Sequence, residues 1–326
     1  MPIGGALAWR FYRQHQFASA LNSNSPDAIN ESRYVTIGGV PQWITIRGEN
    51  RANPVLLFVH GGPGEAQSGL PMVYRNWERD FTIVQWDQRG AGMSYTAGGR
   101  LTPDVTLDRL INDGIEVAQY IRGELNVGPV ALVGHSWGSY LAVHMVKANP
   151  ELFSAYVGTG QLVDLAENIK VTYISTLARA RAAHDAGSIK KMESTGRVDY
   201  STRNRYLASS DVSFMQEESI DLLTSPVVSL AQAFDWARGL LQGASPALLN
   251  DDLRTLGCNF PIPFFIVQGK DDRITDTGLA KTYFDCVESP HKEIVLIPGG
   301  HFAYATEAFR DALVTRLRPV VVGVPN

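Results

Sequence analysis

The chain has 326 residues, 44% of them hydrophobic, and a formal net charge of −4. That length and apolar content suit one large core, with or without an inserted subdomain. With no basic stripe and no long run of like charge, nucleic acid is excluded as an expected partner; Cys258 and Cys286 can form one bridge or none, and their spacing matches no metal motif.

Residues 1–21 mix apolar positions with Arg10, Arg13, His15 and Gln16. They predict a short amphipathic helix packed on the main body, with a weak surface anchor or a trimmed targeting segment as the alternatives. The apolar stretch 3–9 is too short to span a bilayer and lacks a secretory core. No stable membrane insertion is expected, and the cytoplasm is the expected location. Asn22-Ser23-Asn24-Ser25-Pro26 reads as a linker. Stretches 33–37 and 42–46 alternate apolar and polar residues around Gly38-Gly39-Val40-Pro41, a hairpin signal. The continuous apolar runs 55–59 and 81–86 mark strands buried on both faces. Residues 106–125 carry helical periodicity, with Leu107, Leu110, Ile111, Ile115, Val117 and Ala118 on the inner face.

The run from Val130 to Val133 stops at Gly134, and Ser136 follows in the frame Gly134-His135-Ser136-Trp137-Gly138. A helical pattern over 138–149 begins at once and Pro150 closes it. Strand, sharp turn and helix with a serine at the apex form a nucleophile elbow. A short strand is expected at 155–157. Residues 162–255 then read as helical, with breaks near Gly187, Gly196, Pro226 and Gly243. Strand-like runs return at 264–267 and 293–297, with a helix over 277–287 between them and a final helix over 305–317. Strands alternating with helices imply a mostly parallel, eight-stranded sheet covered on both faces. The helical insertion after the sixth strand would cap its carboxyl edge. The expected organisation is an extension over 1–26, an α/β core over 27–160 and 256–326, and a helical cap over 161–255.

A serine hydroxyl is hardly ionised at neutral pH, so it needs a base. The chain has seven histidines. His15 lies in the extension, His60 opens a glycine-rich loop, and His135 is the variable residue of the elbow. His144 falls in the elbow helix, His184 in the cap, and His291 at the wrong edge of the sheet. His301 alone sits on a loop after the last strand, in Pro298-Gly299-Gly300-His301. The acid should follow the preceding strand, in Gly269-Lys270-Asp271-Asp272. Asp272 is favoured because its Gly-x-x-Asp frame places it where the loop turns back; Asp271 competes and Asp276 is third. The aspartate left over would cap a turn through backbone hydrogen bonds. Ser136, Asp272 and His301 then stand in the chain order of α/β-hydrolases. Phe58-Val59-His60-Gly61-Gly62-Pro63-Gly64 supplies an anion loop, with the amides of Gly62 and Trp137 as the expected oxyanion donors.

His60-Gly61-Gly62-Pro63-Gly64, Asp87-Gln88-Arg89-Gly90-Ala91-Gly92-Met93-Ser94 and Gly134-His135-Ser136-Trp137-Gly138 together resemble the signature of proline-iminopeptidase-like α/β-hydrolases. The resemblance runs from about Arg33 to the C-terminus and is weakest in the cap. It implies the same triad and oxyanion donors, and a bracing role for Arg89. No cofactor and no metal is expected. The tryptophan- and glutamate-rich cap segment with which true iminopeptidases hold a free amino group has no match here. Glu167, Glu193, Glu217 and Glu218 are expected on exposed helix faces. Tyr173, Tyr206, Phe214, Phe234 and Trp236 would favour a bulky apolar ligand if they pointed down. The stretch 158–164 is similar to a subgroup near serine-dependent macrolide esterases. A small ester or lactone, with a macrolide lactone as the specific case, is therefore the expected substrate. The alternative is a short peptide losing N-terminal proline. A non-catalytic receptor on the same fold is opposed by the complete set of catalytic parts.

Overall fold

The computed structural model describes residues 3–98, 105–243, 248 and 252–323. Helix α1 (Ile3–Leu21) precedes a hairpin of β1 (Ile29–Ile37) and β2 (Val40–Gly48). Gly38 and Gly39 hold φ of 55° and 76°, the pair of positive values that a two-residue turn between twisted strands demands. Then follow β3 (Val55–Val59), α2 (Pro71–Tyr74), β4 (Thr82–Asp87), α3 (Gly92–Gly98), α4 (Leu107–Leu125), β5 (Val130–His135), α5 (Trp137–Ala148) and β6 (Phe153–Thr159). Five helices come next: α6 (Leu165–Ala182), α7 (Ala186–Thr195), α8 (Tyr200–Arg205), α9 (Ser209–Thr224) and α10 (Leu230–Gly243). The chain closes through β7 (Phe264–Gly269), α11 (Thr277–Cys286), β8 (Lys292–Ile297), α12 (Glu307–Ala312) and α13 (Arg318–Val322).

The eight strands lie in the order β1-β2-β4-β3-β5-β6-β7-β8. Only β2 runs antiparallel to its neighbours, as the mostly parallel expectation requires. Every residue of β3, β4 and β5 is buried, because helices cover both faces. Alternation along β3 divides the core in two. Leu57 and Val59 join Val117, Ile121, Leu141 and Tyr283 under α4, α5 and α11. Leu56 and Phe58 join Trp77, Tyr304, Phe309 and Leu313 on the other face.

Helix α4 starts where Thr106 accepts the amide of Arg109 and ends at a left-handed Asn126. The final helix differs from the expected 305–317. Thr306 caps α12, the ladder widens to a π-turn over Leu313–Leu317, and the helix runs on to Val322. Pro319 lacks an amide hydrogen, so the regular ladder cannot pass through it unchanged. Helices α2 and α3 were absent from the pattern because each is too short to show a helical period. The insertion between β6 and β7 is helical. Of the expected 161–255 cap, residues 244–247 and 249–251 lie outside the described residues, as do Met1 and Pro2 of the extension, 99–104 and 324–326 of the core. Helix α1 docks on the end of α9: Arg10 reaches the carbonyls of Leu223 and Val228, and Arg13 pairs with Asp221 at 2.8 Å. Cys258 and Cys286 are bridged, tying the approach to β7 to the end of α11. Among the described residues no helix is long and apolar enough to cross a membrane.

Arg89 sits in this framework as the expected brace. Its Nε donates to Asp113 Oδ2 at 2.8 Å, and its Nη2 donates to the carbonyl of Gly38. Both side chains are almost wholly buried, at 1% and 0% exposure. Asp113 also accepts from Gln42 at 2.7 Å. Removing one member leaves a buried charge without its counter-charge. Asp113→Ala should therefore lower unfolding free energy by about 3–5 kcal/mol, measured by urea titration; a loss below about 1 kcal/mol would mean that the pair does not brace the hairpin.

Candidate active site

The elbow is built by the absence of side chains on either side of it. A Cβ at Gly134 would lie 2.5 Å from the carbonyl oxygen of Gly138, and one at Gly138 would overlap the carbonyl of Val59. Strand β5, helix α5 and the end of β3 therefore meet at backbone contact. Ser136, between strand and helix, is held at φ 54°, ψ −124°, a conformation that costs a non-glycine residue roughly 1–3 kcal/mol. Its amide donates to Thr159 O at 2.9 Å. It stands half-exposed at the floor of a cavity of about 410 Å³, lined also by Gly62 and Trp137. Among the described residues, the amides of Gly62 and Trp137 have no hydrogen-bond partner.

His301 follows β8 on a tight loop and is 3% exposed. Its Nδ1 lies 2.9 Å from Asp272 Oδ2. That carboxylate accepts four further hydrogen bonds: the amides of Ile274 and Thr275 at Oδ1, and the Gln268 amide group and Thr275 hydroxyl at Oδ2. An acceptor-only carboxylate assigns the ring proton to Nδ1 and leaves the lone pair on Nε2. Asp271, by contrast, is exposed, and Asp276 caps α11 by accepting the amide of Leu279 at 3.0 Å. Asp271 does not take the turn-capping role foreseen for it: the turn amides of Ile274 and Thr275 go to Asp272 itself.

The imidazole lies beside the elbow. Its ring centroid is 4.7 Å from that of His135, and a Cβ on Gly160 would stand 2.9 Å from its Cε1. Gly160 adjoins Thr159, the acceptor for the Ser136 amide. Among the described residues no hydrogen bond joins the Ser136 hydroxyl to the ring; such contacts commonly tighten only when substrate arrives.

Several groups to which the sequence assigned no role at the site hold these parts. Gln88 donates to His60 O at 2.9 Å and accepts from Trp137 Nε1 at 3.0 Å, stitching the anion loop to the elbow. The amide of Gln88 donates to His60 Nε2 at 3.1 Å, so the His60 proton sits on Nδ1 and points to Gly61 O. Burial lowers the His60 pKa to about 4 and drives that of His135 down, His301 adding to the effect on His135. Both rings are neutral neighbours of the site. From the cap, Asp211 accepts the amides of His301 and Phe302 at 3.0 and 3.2 Å. Burial raises its pKa, opposed by those two amides. Gln88 lies in a signature segment whose bonding only the fold shows, and Asp211 lies far from Ser136, Asp272 and His301 in sequence with no local signal, so only the fold reveals it.

Of the other histidines, His15, His184 and His291 are exposed, and His144 is buried in α5. The cap carboxylates divide. Glu167 pairs with Arg254, Glu193 with Arg181, and Glu217 is exposed. Glu218 departs from the exposed-face expectation: it turns inward to accept from Gln67 at 3.2 Å, near Glu65. The cap aromatics do not line the cavity. Tyr173 and Tyr206 pack with Leu177 and Met192, Phe214 stacks on Phe302, and Trp236 donates to Ala66 O. Phe234 is exposed. A bulky apolar ligand therefore loses its sequence argument.

This sheet order and this loop placement define an α/β-hydrolase. Residues 50–307 match the family described as serine aminopeptidase, S33 (Hydrolase_4), and the chain belongs to that family. It is 29% identical over 283 residues to a probable aminopeptidase YbaC of Bacillus subtilis, covering 79% of this chain and 86% of that one. It is 24% identical over 296 residues to a proline iminopeptidase of Lactobacillus delbrueckii subsp. bulgaricus, covering 84% and 92%. The crystal structure of a proline iminopeptidase-related protein from Thermus thermophilus shares the fold, at a TM-score of 0.63 and 19% identity over 91% of this chain and all of that one.

The hydrogen-bond count separates the two adjacent aspartates. Asp272→Ala strands five donors in a buried site and should cost on the order of 3 kcal/mol or more of unfolding free energy. Asp271→Ala should stay within about 0.5 kcal/mol of the parent. Equal losses in chemical denaturation would contradict the assignment.

Proposed function

We propose that the chain is a serine hydrolase that cleaves an ester or lactone through an acyl-enzyme, with Ser136 as nucleophile. The observation that carries this is a strained serine at the floor of a cavity that also presents two unpartnered amides, beside a histidine whose other nitrogen is held by a saturated carboxylate. His301 Nε2 takes the hydroxyl proton as Ser136 Oγ attacks the carbonyl carbon. The amides of Gly62 and Trp137 receive the oxyanion, an arrangement worth roughly 3–4 kcal/mol per donor. The imidazolium, stabilised by Asp272, returns its proton to the leaving oxygen. Water then attacks the acyl-enzyme with the same base, and Ser136 is released with the acid product.

Release of N-terminal proline is the second reading, favoured by the names of the relatives. It requires an anionic receiver for a free ammonium group. Among the described residues the cavity lining contains no carboxylate. The nearby pair Glu65 and Glu218 is driven towards the neutral acid by burial, with mutual repulsion acting on Glu65. That chemistry favours the ester or lactone. A macrolide lactone belongs in the substrate panel, although no lining residue singles it out. The Cys258–Cys286 bridge bears on location: disulfides persist in oxidising compartments, which speaks against the cytoplasm.

The wild-type protein should label with a fluorophosphonate probe and hydrolyse p-nitrophenyl esters faster than proline p-nitroanilide. Ser136→Ala should abolish both labelling and turnover. Asp272→Asn should reduce kcat by about 10⁴-fold through loss of the correct tautomer. Rapid anilide turnover with little ester cleavage would hand the assignment to the second reading.

A further inference from the structure

The cationic side chains of this chain are treated in two ways. Around the cap, Arg181 pairs with Glu193, Arg205 with Asp185, Arg238 with Asp235 and Arg254 with Glu167, each within 2.9 Å. Three arginines line the cavity that holds Ser136: Arg197 between α7 and α8, Arg203 on α8, and Arg273 beside Asp272. Among the described residues none of these three is ion-paired with a carboxylate.

Arg197 is exposed at the rim, whereas Arg203 and Arg273 are half-buried, where an unpaired charge is costlier. Arg203 Nε is buried without a hydrogen-bond partner, and its guanidinium lies 5.0 Å from the Tyr200 ring centroid. Arg273 is pinned in place by its Nη1, which donates to the carbonyls of Tyr206 and Leu207 at 2.8 and 3.2 Å. Arg179 stands close enough that repulsion from Arg273 adds to burial in lowering its pKa. The carboxylates within reach are otherwise engaged. Asp272 is saturated by His301 and its own loop. Glu65 and Glu218 are pushed towards neutrality by burial, with the charge of Arg203 only opposing that shift at Glu65. Like charges gathered in a partly desolvated cleft focus a positive field that an arriving anion would neutralise. Leu165 and Ile169 add apolar wall to the same cavity.

We infer that the natural substrate carries a carboxylate on a short apolar chain, held by Arg197, Arg203 and Arg273 while its ester or lactone carbonyl lies at Ser136. The inference rests on the serine-hydrolase reading and narrows its substrate class. Guanidinium groups bind carboxylates through paired, charge-assisted hydrogen bonds, which gives both affinity and orientation.

Two matched ester series test it. In the acyl series, mono-p-nitrophenyl adipate is compared with p-nitrophenyl hexanoate. In the leaving-group series, 3-carboxyphenyl hexanoate is compared with phenyl hexanoate. The wild-type protein should prefer the charged member of at least one series by about tenfold or more in kcat/KM, carried by KM and shrinking with added salt. Arg203→Gln should reduce that preference about tenfold, Arg203→Lys by less, and Arg197→Gln should reduce it as a second, independently folding check. Circular dichroism confirms that each variant is folded. A labelled, ester-cleaving wild-type protein with no preference in either series, or a preference untouched by both glutamine variants, overturns this inference alone. A wild-type protein that neither labels with fluorophosphonate nor cleaves any ester overturns the hydrolase reading beneath it.

Discussion

The structure turns on a contact that side chains would forbid. Gly134 and Gly138 let β5, α5 and the end of β3 approach until carbonyl oxygens occupy the space of the missing Cβ atoms. That approach throws Ser136 into a positive φ at the carboxyl edge of the sheet. It also brings the first amide of α5 to the same cavity as the amide of Gly62. Gln88 then bonds to both His60 and Trp137, so the relative position of loop and elbow is held by hydrogen bonds as well as by packing. A larger residue at either glycine would force β5, α5 and the end of β3 apart and shift Ser136 relative to the amides of Gly62 and Trp137.

Around that contact the charges are arranged with opposite purposes. Asp272 is given as many donors as a carboxylate can take, which holds its orientation and fixes one imidazole tautomer. His60 and His135 are buried and neutral, so they add no competing charge beside His301. Asp211 reaches from α9 to the amides of His301 and Phe302, so the helical insertion helps to hold the loop that carries the imidazole. The cavity wall is the reverse case: among the described residues, the guanidinium groups of Arg197, Arg203 and Arg273 line it with no carboxylate in an ion pair.

Most of the core was legible because its signals are local. The run 55–59 is uniformly buried, and the elbow frame around Ser136 lies between a strand and a helix as its glycines demand. The order Ser136, Asp272, His301 was readable because each follows a strand recognisable by its apolar run. The misses have physical causes. Helices α2 and α3 are shorter than two full turns, and the π-turn before Pro319 reflects how a ladder accommodates a missing donor. Apart from the exposed Phe234, the cap aromatics packed with one another or against loops, because a side chain's type does not name its partner.

The sequence by itself determined the alternation of strands and helices, the apex serine, the loop histidine and the two aspartates competing to be its partner. These are consequences of period, turn chemistry and chain order. Tertiary structure decided which aspartate is buried against the imidazole, which cap carboxylate turns inward, and which arginines share the Ser136 cavity with no ion-paired carboxylate among the described residues. Those outcomes depend on distances between elements far apart along the chain, and a one-dimensional pattern carries no information on which opposite charges meet and which are left alone.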